Sequence, residues 1–262
     1  MYSYKRYSME RTNKIALVTG GSRGLGKDMA LRLAEKGHDV IITYQSQKEA
    51  ADAVITELET RGSRALALQL DMAKFQTLDA FVNLFTSSLQ EKWGHTHFDF
   101  LVNNAGMGAT IPFEQVTEAD FDHFLHVHFK SVYFLTQKLL PLLQNGGRII
   151  NISSGSTRIC VPGYSVYASM KGAIETLTQY LAKDLGSKGI TVNVVAPGPI
   201  ETDFNNAAIR SNPERKAAMA KTIALGRVGN AEDIGGVIAF LCSEDSGWIT
   251  GQRIEASGGL FL

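Results

Sequence analysis

Short apolar runs rich in β-branched residues alternate with longer stretches of helical spacing along almost the whole chain. The run at 15–19 passes through a glycine turn into an amphipathic stretch at 28–37 that ends on glycine, which reads as strand, turn, helix and stop. The same rhythm gives a strand at 40–44, a helix at 48–62, a strand at 64–70 and a helix at 74–93. A strand at 98–104, a long helix over about 117–144 and a strand at 147–153 follow, then a helix over about 164–186 and a strand at 189–198. A helix at 231–243 and a last strand at 251–256 close the series. Strands separated by helices predict a parallel sheet with right-handed crossovers, covered on both faces. With no internal repeat or Pro/Gly-rich linker, one domain is predicted over 14–262, preceded by a loose polar tail at 1–13. Residues 199–225 break the rhythm: they lack a strand run, carry Asn, Pro and Arg, and follow a strand's C-terminal end. Open α/β sheets bind ligands there, so this segment is the candidate substrate lid.

Composition narrows the class. The 262 residues are 44% hydrophobic and 20% charged with a formal net charge of zero, so neither nucleic acid nor an anionic membrane surface is an expected partner. Two cysteines, Cys160 and Cys242, do not make a disulfide framework and point to a reducing compartment. The first residues carry no apolar signal-peptide core, and no run is long enough for a membrane span, so a cytoplasmic location is expected. Met9 is an alternative start to Met1.

Two small constellations carry chemistry. Gly20, Gly24 and Gly26 fall at the first strand-to-helix turn, where glycine permits close backbone approach and free helix N–H groups suit a phosphate. Their spacing is not the common dinucleotide fingerprint, and a glycine turn that merely connects elements would look similar. Tyr167 and Lys171 are four apart on one helix face, where an ammonium would favour the phenolate and bring the tyrosine into acid/base range. An ordinary surface pair has the same spacing. Ser154, at the C-terminal end of the preceding strand, would hold a carbonyl oxygen beside the phenol.

Together these pieces resemble the classical short-chain dehydrogenase/reductase family, from about Lys14 to the end. The matches are the glycine turn at Thr19 to Gly26, Asn103-Asn104-Ala105-Gly106, Ser154, Tyr167 with Lys171, and the turn at Pro197 and Gly198. The resemblance implies a single Rossmann-type, doubly wound α/β fold whose parallel sheet has about seven strands. It implies catalysis by Ser154, Tyr167 and Lys171: the tyrosine as acid/base, the lysine lowering its pKa and holding the nicotinamide ribose, the serine polarising the carbonyl. Gly20, Ser22, Arg23, Gly24, Leu25 and Gly26 would meet the cofactor's phosphates, and Asp71 with Met72 its adenine. Asn104, Ala105 and Gly106 would line the ribose side, with Pro197, Gly198, Ile200 and Thr202 near the carboxamide. Tyr44 occupies the position where an acidic residue would select NAD. With Gln45 and Ser46 following it and Arg23 inside the glycine turn, NADP(H) is expected in preference to NAD(H).

One position departs from the family pattern. His128 stands where the family places an asparagine that helps bind a water of the proton relay. Neutral imidazole both donates and accepts, so relay participation is expected, with a titration step near neutrality that asparagine lacks; a packed, structural histidine is the plainer reading. His123 and His126 are neighbours on the helix, but His128 lies about 200° round from His126, so no metal site is expected. His95 and His97 flank a loop.

The expected activity is interconversion of a carbonyl and a secondary alcohol, with a 3-oxoacyl thioester among the candidate substrates because residues 192–203 resemble 3-oxoacyl carrier-protein reductases. Arg158, Arg210, Arg215 and Lys216 would face an acidic substrate or carrier, or else simply be solvated. Family resemblance also implies a homotetramer. The rival from another class is an NADP-binding sensor that keeps the fold without turnover.

Overall fold

The computed structural model describes residues 13–262; the tail expected at 1–13 and the alternative start at Met9 lie outside them, except for Asn13. In chain order the elements are β1 (Ile15–Val18), α1 (Gly24–Glu35), β2 (Asp39–Tyr44), α2 (Lys48–Thr60), β3 (Ala65–Gln69), α3 (Leu78–Trp93) and β4 (Phe98–Asn103). There follow α4 (Glu118–Leu125), α5 (Ser131–Leu139), β5 (Leu143–Ile152), α6 (Ser165–Leu185) and β6 (Thr191–Pro197). The chain finishes with α7 (Phe204–Ala207), α8 (Pro213–Ala220), α9 (Glu232–Leu241) and β7 (Arg253–Ala256).

All seven strands pair in parallel in the order β3-β2-β1-β4-β5-β6-β7. Successive residues of β1 show why the sheet needs two covers: Ile15 and Leu17 enter one apolar cluster, Ala16 and Val18 the other. The first cluster is closed by Phe81, Phe85 and Leu89 of α3, Leu135 and Leu139 of α5 and Ile174 of α6. The second is closed by Met29 and Leu33 of α1, Val54 and Leu58 of α2, and Ile234 and Ile238 of α9. The strand order reverses between β1 and β4, so the C-terminal ends of those two strands open the crevice that doubly wound sheets use for ligands. At the opposite edge, the fully buried Asp39 accepts from Arg64 Nε (2.8 Å) and Trp93 Nε1 (2.7 Å), so its charge is paired and bonded.

The helix expected over 117–144 is not continuous. α4 begins with a capping box in which Thr117 and Asp120 satisfy each other's backbone N–H groups. A single π-helical turn at His126–Lys130 then inserts between α4 and α5. Beyond α5, Leu140–Leu142 tighten into a 3-10 turn around Pro141, which lacks the N–H an α-helix requires. The start of the helix expected at 74 is also 3-10, over Phe75–Thr77. The lid segment holds two short helices, α7 and α8, the latter capped by Asn212 accepting from Arg215 N (2.9 Å) and led by Pro213. No helix among the described residues is long and apolar enough to cross a membrane.

Candidate active site

A cavity of about 690 Å³ lies over the C-terminal ends of β1, β4 and β5 and runs beneath the lid. At one end is the glycine turn. Gly20 adopts a left-handed φ of 66°, and a Cβ there would sit 2.9 Å from Ala105 Cα. A Cβ on Gly26 would come within 2.3 Å of the Gly20 carbonyl oxygen, so α1 starts tight against the turn only because position 26 has no side chain. Thr19 joins this turn to the end of β4: its Oγ1 accepts from Asn104 N and Ala105 N, both at 3.0 Å. Asn104 Nδ2 returns a bond to the Thr19 carbonyl at 2.9 Å. Sequence reasoning named Thr19 only as part of a motif; its cross-strand role needs the parallel β1–β4 pairing to be seen.

α1 has no side-chain cap and no acidic residue in its first turn, leaving its N–H groups and the Arg23 guanidinium to the cavity. Tyr44 and Gln45 line the wall beyond β2, and Asp71 accepts from Ala73 N (3.0 Å) and Gln45 Nε2 (3.3 Å). Thr43, absent from the sequence reading, both lines the cavity and accepts from Gly20 N at 3.0 Å. All the residues expected to bind cofactor line this cavity except Ser46, which is exposed and lies outside the lining.

At the other end, β5 delivers Ser154 and α6 delivers Tyr167 and Lys171. Lys171 Nζ donates to the Ile152 carbonyl (2.8 Å), tying the helix to the strand end, and lies 5.7 Å from the Tyr167 ring centroid. Ser154 Oγ accepts from Ser156 N at 3.2 Å, lies 2.9 Å from Ser156 Oγ and neighbours the Tyr167 phenol. Burial lowers the Lys171 ammonium to about 8. Burial also pushes the Tyr167 phenol up to about 12, with the neighbouring Ser154 hydroxyl pulling the other way. The expected lowering of the phenol by Lys171 is therefore not what the fold by itself provides: desolvation dominates, and the amine is engaged with a backbone carbonyl.

His128 sits inside the π-helical turn, 1% exposed, stacked on Phe124 (5.6 Å) and edge-on to Tyr167 (5.1 Å). Its Nε2 lies 2.8 Å from the Met107 carbonyl oxygen, a contact that needs the ring proton on Nε2. Nδ1 is then a bare acceptor, buried and without a protein partner among the described residues. Gly106 makes room for this edge of the ring, since a Cβ there would meet His128 Cε1 at 2.9 Å. Burial first, and then the Lys171 charge, hold the imidazole well below its ordinary range. This corrects the expected titration step near neutrality: at neutral pH His128 is an uncharged ring. His126 instead faces the surface and bonds the Asp122 carbonyl, while His123 lines the cavity mouth.

The lid closes the far wall. Asn205 Nδ2 donates to Tyr164 Oη at 2.9 Å, and the Phe204 ring lies 6.1 Å from that of Tyr167. Neither Tyr164 nor Asn205 was singled out from sequence, because their contact spans 41 residues and only the folded lid creates it. Arg210 pairs with Asp203, Lys216 with Glu201, and Arg158 with Glu255 at 3.7 Å. Arg215 lines the cavity and forms no salt bridge among the described residues.

Comparison with known proteins agrees with this geometry. Residues 20–261 match a family described as enoyl-(acyl carrier protein) reductase. The hydroxynaphthalene reductase-like protein Arp2 of Metarhizium robertsii is 38% identical over 259 residues, covering 95% of each chain. The 3-oxoacyl-[acyl-carrier-protein] reductase FabG of Staphylococcus epidermidis is 36% identical, covering 95% of this chain and all of its own. Among solved structures, the reductase LugOII, which catalyses keto-reduction at C1 during lugdunomycin biosynthesis, superposes with a TM-score of 0.89 at 40% identity, covering 94% of this chain and 96% of its own. The angucycline C-6 ketoreductase LanV with bound NADP gives 0.90 at 39% identity, covering 95% of both chains. A second LanV structure, with NADP and rabelomycin, gives 0.87 at 38%, covering 95% of this chain and 96% of its own. With matching motifs, strand order and site over nearly its whole length, the chain belongs to the short-chain dehydrogenase/reductase family of oxidoreductases.

Proposed function

We propose that the protein is an NADP(H)-dependent carbonyl reductase that interconverts a ketone and a secondary alcohol with Tyr167 as general acid/base. The observation that carries this reading is the cluster of half-buried Ser154 with buried Tyr167 and Lys171, opening into the same cavity as the glycine turn. That turn fits a dinucleotide, since Gly20, Gly24 and Gly26 present backbone without side chains to the cavity at the uncapped start of α1, and the cavity wall carries Arg23 and Tyr44 where an acid would repel a 2′-phosphate. Gly20, Arg23, Asn104 and Lys171 would hold the cofactor, which when bound supplies the hydride.

The chain's own residues handle the oxygen and the proton. Ser154 turns its hydroxyl proton to the carbonyl oxygen, and Tyr167, held protonated by burial, transfers its proton to that oxygen as the alcohol forms. The Lys171 ammonium behind the ring stabilises the phenolate left behind. Reprotonation passes along the buried wall, where the bare Nδ1 of His128 accepts a hydrogen bond from a relay water. In the oxidative direction each step reverses.

Tyr164, Phe204, Ile159, Val161 and Met107 line the cavity around Tyr167. This supports a flat, largely apolar ring ketone, in keeping with the aromatic substrates in the names of the fungal and angucycline relatives. A 3-oxoacyl thioester is the second reading, favoured by the cavity-facing Arg215 and the likeness to FabG. Exposed Tyr133 on α5 and Tyr180 on α6 support homotetramer assembly through those helices, and the free thiols of Cys160 and Cys242 suit a reducing compartment such as the cytoplasm.

The test is NADPH and NADH oxidation against bicyclic aromatic ketones, acetoacetyl thioesters and quinones. Faster turnover of the ring ketones with NADPH is the expected result. NADPH binding with no turnover on any member of the panel would instead make the protein a sensor on the same fold.

A further inference from the structure

One turn beyond Lys171 on the same face of α6 stands Glu175, which touches neither the cavity nor any expected cofactor position. Its Oε1 is nonetheless the busiest acceptor near the site. Ser153 Oγ donates to it at 2.6 Å, Thr157 Oγ1 lies 2.8 Å away, and Arg253 Nε donates at 2.8 Å. Arg253, on β7 with a side chain only 10% exposed, reaches further: Nη1 donates to Glu255 at 2.8 Å, and Nη2 to Thr157 Oγ1 at 3.1 Å and to the Ser154 carbonyl at 3.4 Å. Thr157 Oγ1 also lies 2.9 Å from that carbonyl. The turn at 153–157 is thus bonded immediately before Ser154, at its carbonyl and three residues after it.

Both anchors are fixed to rigid elements, one to the helix that carries Tyr167 and Lys171, the other to the last strand. The backbone bonds of the 3-10 turn, from Arg158 N and Ile159 N to the Gly155 carbonyl at 3.0 Å, stay within the turn and do not tie it to α6. Charge-assisted bonds from a half-buried carboxylate and a guanidinium are the strongest fixings within reach.

We propose that Glu175 and Arg253 are positioning residues for Ser154, clamping its turn to the helix that bears the acid/base pair so that the serine hydroxyl and the Tyr167 phenol address one substrate oxygen. The proposal rests on the carbonyl-reductase reading and deepens it. Geometry of this kind matters because a misplacement of about 1 Å can cost on the order of 10²-fold in rate.

The test compares wild type, Glu175→Ala, Glu175→Gln, Ser154→Ala and the double variant Ser154→Ala/Glu175→Ala. Glu175→Ala should lower kcat on the order of ten- to hundredfold with the NADPH dissociation constant unchanged, and Glu175→Gln, which keeps the shape and an acceptor, should recover most of it. In the Ser154→Ala background the Glu175→Ala effect should vanish, because the clamp acts through the serine hydroxyl. Hydrogen exchange provides a readout independent of substrate: amides at 153–158 should exchange faster in Glu175→Ala and in Glu175→Gln, less so in the latter, while those at 20–30 stay protected. Equal losses in the wild-type and Ser154→Ala backgrounds, or unchanged exchange at 153–158, would overturn the clamp. Faster exchange in a protein whose wild type reduces no carbonyl would strike the carbonyl-reductase reading and leave the clamp standing.

Discussion

Burial holds the Tyr167 phenol at about 12 and draws the Lys171 ammonium down to about 8, so near neutrality a protonated phenol stands beside an amine close to losing its charge. The sequence shows which residues meet but not this, since desolvation depends on everything packed around them. His128 makes the same point: its place in the pattern was legible, its protonation state was not. Because burial keeps the ring uncharged, His128→Asn should leave the pH profile of kcat unchanged above about pH 6.5. His128→Ala, which removes the Nδ1 acceptor, should lower kcat on the order of 10²-fold. A pH-rate profile of the two variants checks both; a neutral-range pKa present in wild type and lost in His128→Asn would contradict the buried, neutral ring. Arg23→Ala should weaken NADPH on the order of ten- to hundredfold, the worth of a charge-assisted bond, and leave NADH unchanged. Fluorescence titration with each nucleotide measures this.

Periodicity placed the strands and helices well because each buries a defined face, as the alternation along β1 shows. It failed where the chain departs from a single period. Pro141, which lacks the N–H an α-helix needs, is the signal in the sequence that the helix over 117–144 ends early. The π-helical turn at His126–Lys130 has no such signal, since Val127, His128 and Phe129 all suit an α-helix; the turn packs against α6 and, through His128, against Gly106 and Met107 beyond β4, contacts only the folded chain creates. π turns recur at functional sites, and here the turn aims His128 at the Met107 carbonyl. In the glycine turn, Gly26→Ala puts a methyl group against the Gly20 carbonyl and Asn104 Nδ2, both fixed by the β1–β4 junction. It should destabilise the protein by about 1–3 kcal/mol and abolish measurable NADPH binding. Thermal unfolding and nucleotide titration of the one variant read out both effects.

Across the whole molecule, the parallel sheet and its double cover follow from the alternating pattern, while the strand order, the lid contact of Asn205 with Tyr164 and the pairing of Glu175 with Arg253 do not, because they arise only once distant segments have packed. The two buried titrating groups also shape the stability of the molecule as pH changes. Between about pH 8 and 10 the native Lys171 has released a proton that the unfolded chain still holds, so its contribution makes the protein more stable as pH rises. Between about pH 10 and 12 the native Tyr167 keeps a proton the unfolded chain has lost, so stability falls. Lys171→Met should remove the rise and leave the fall, as read by unfolding midpoints in urea across this range.

Whether Tyr167 donates the proton in carbonyl reduction is decided by kcat for NADPH-dependent reduction of a bicyclic aromatic ketone in wild type and Tyr167→Phe, with NADPH affinity measured alongside. With the phenol removed, kcat should fall on the order of 10²–10⁴-fold with NADPH affinity intact. Turnover by Tyr167→Phe at the wild-type rate would contradict it.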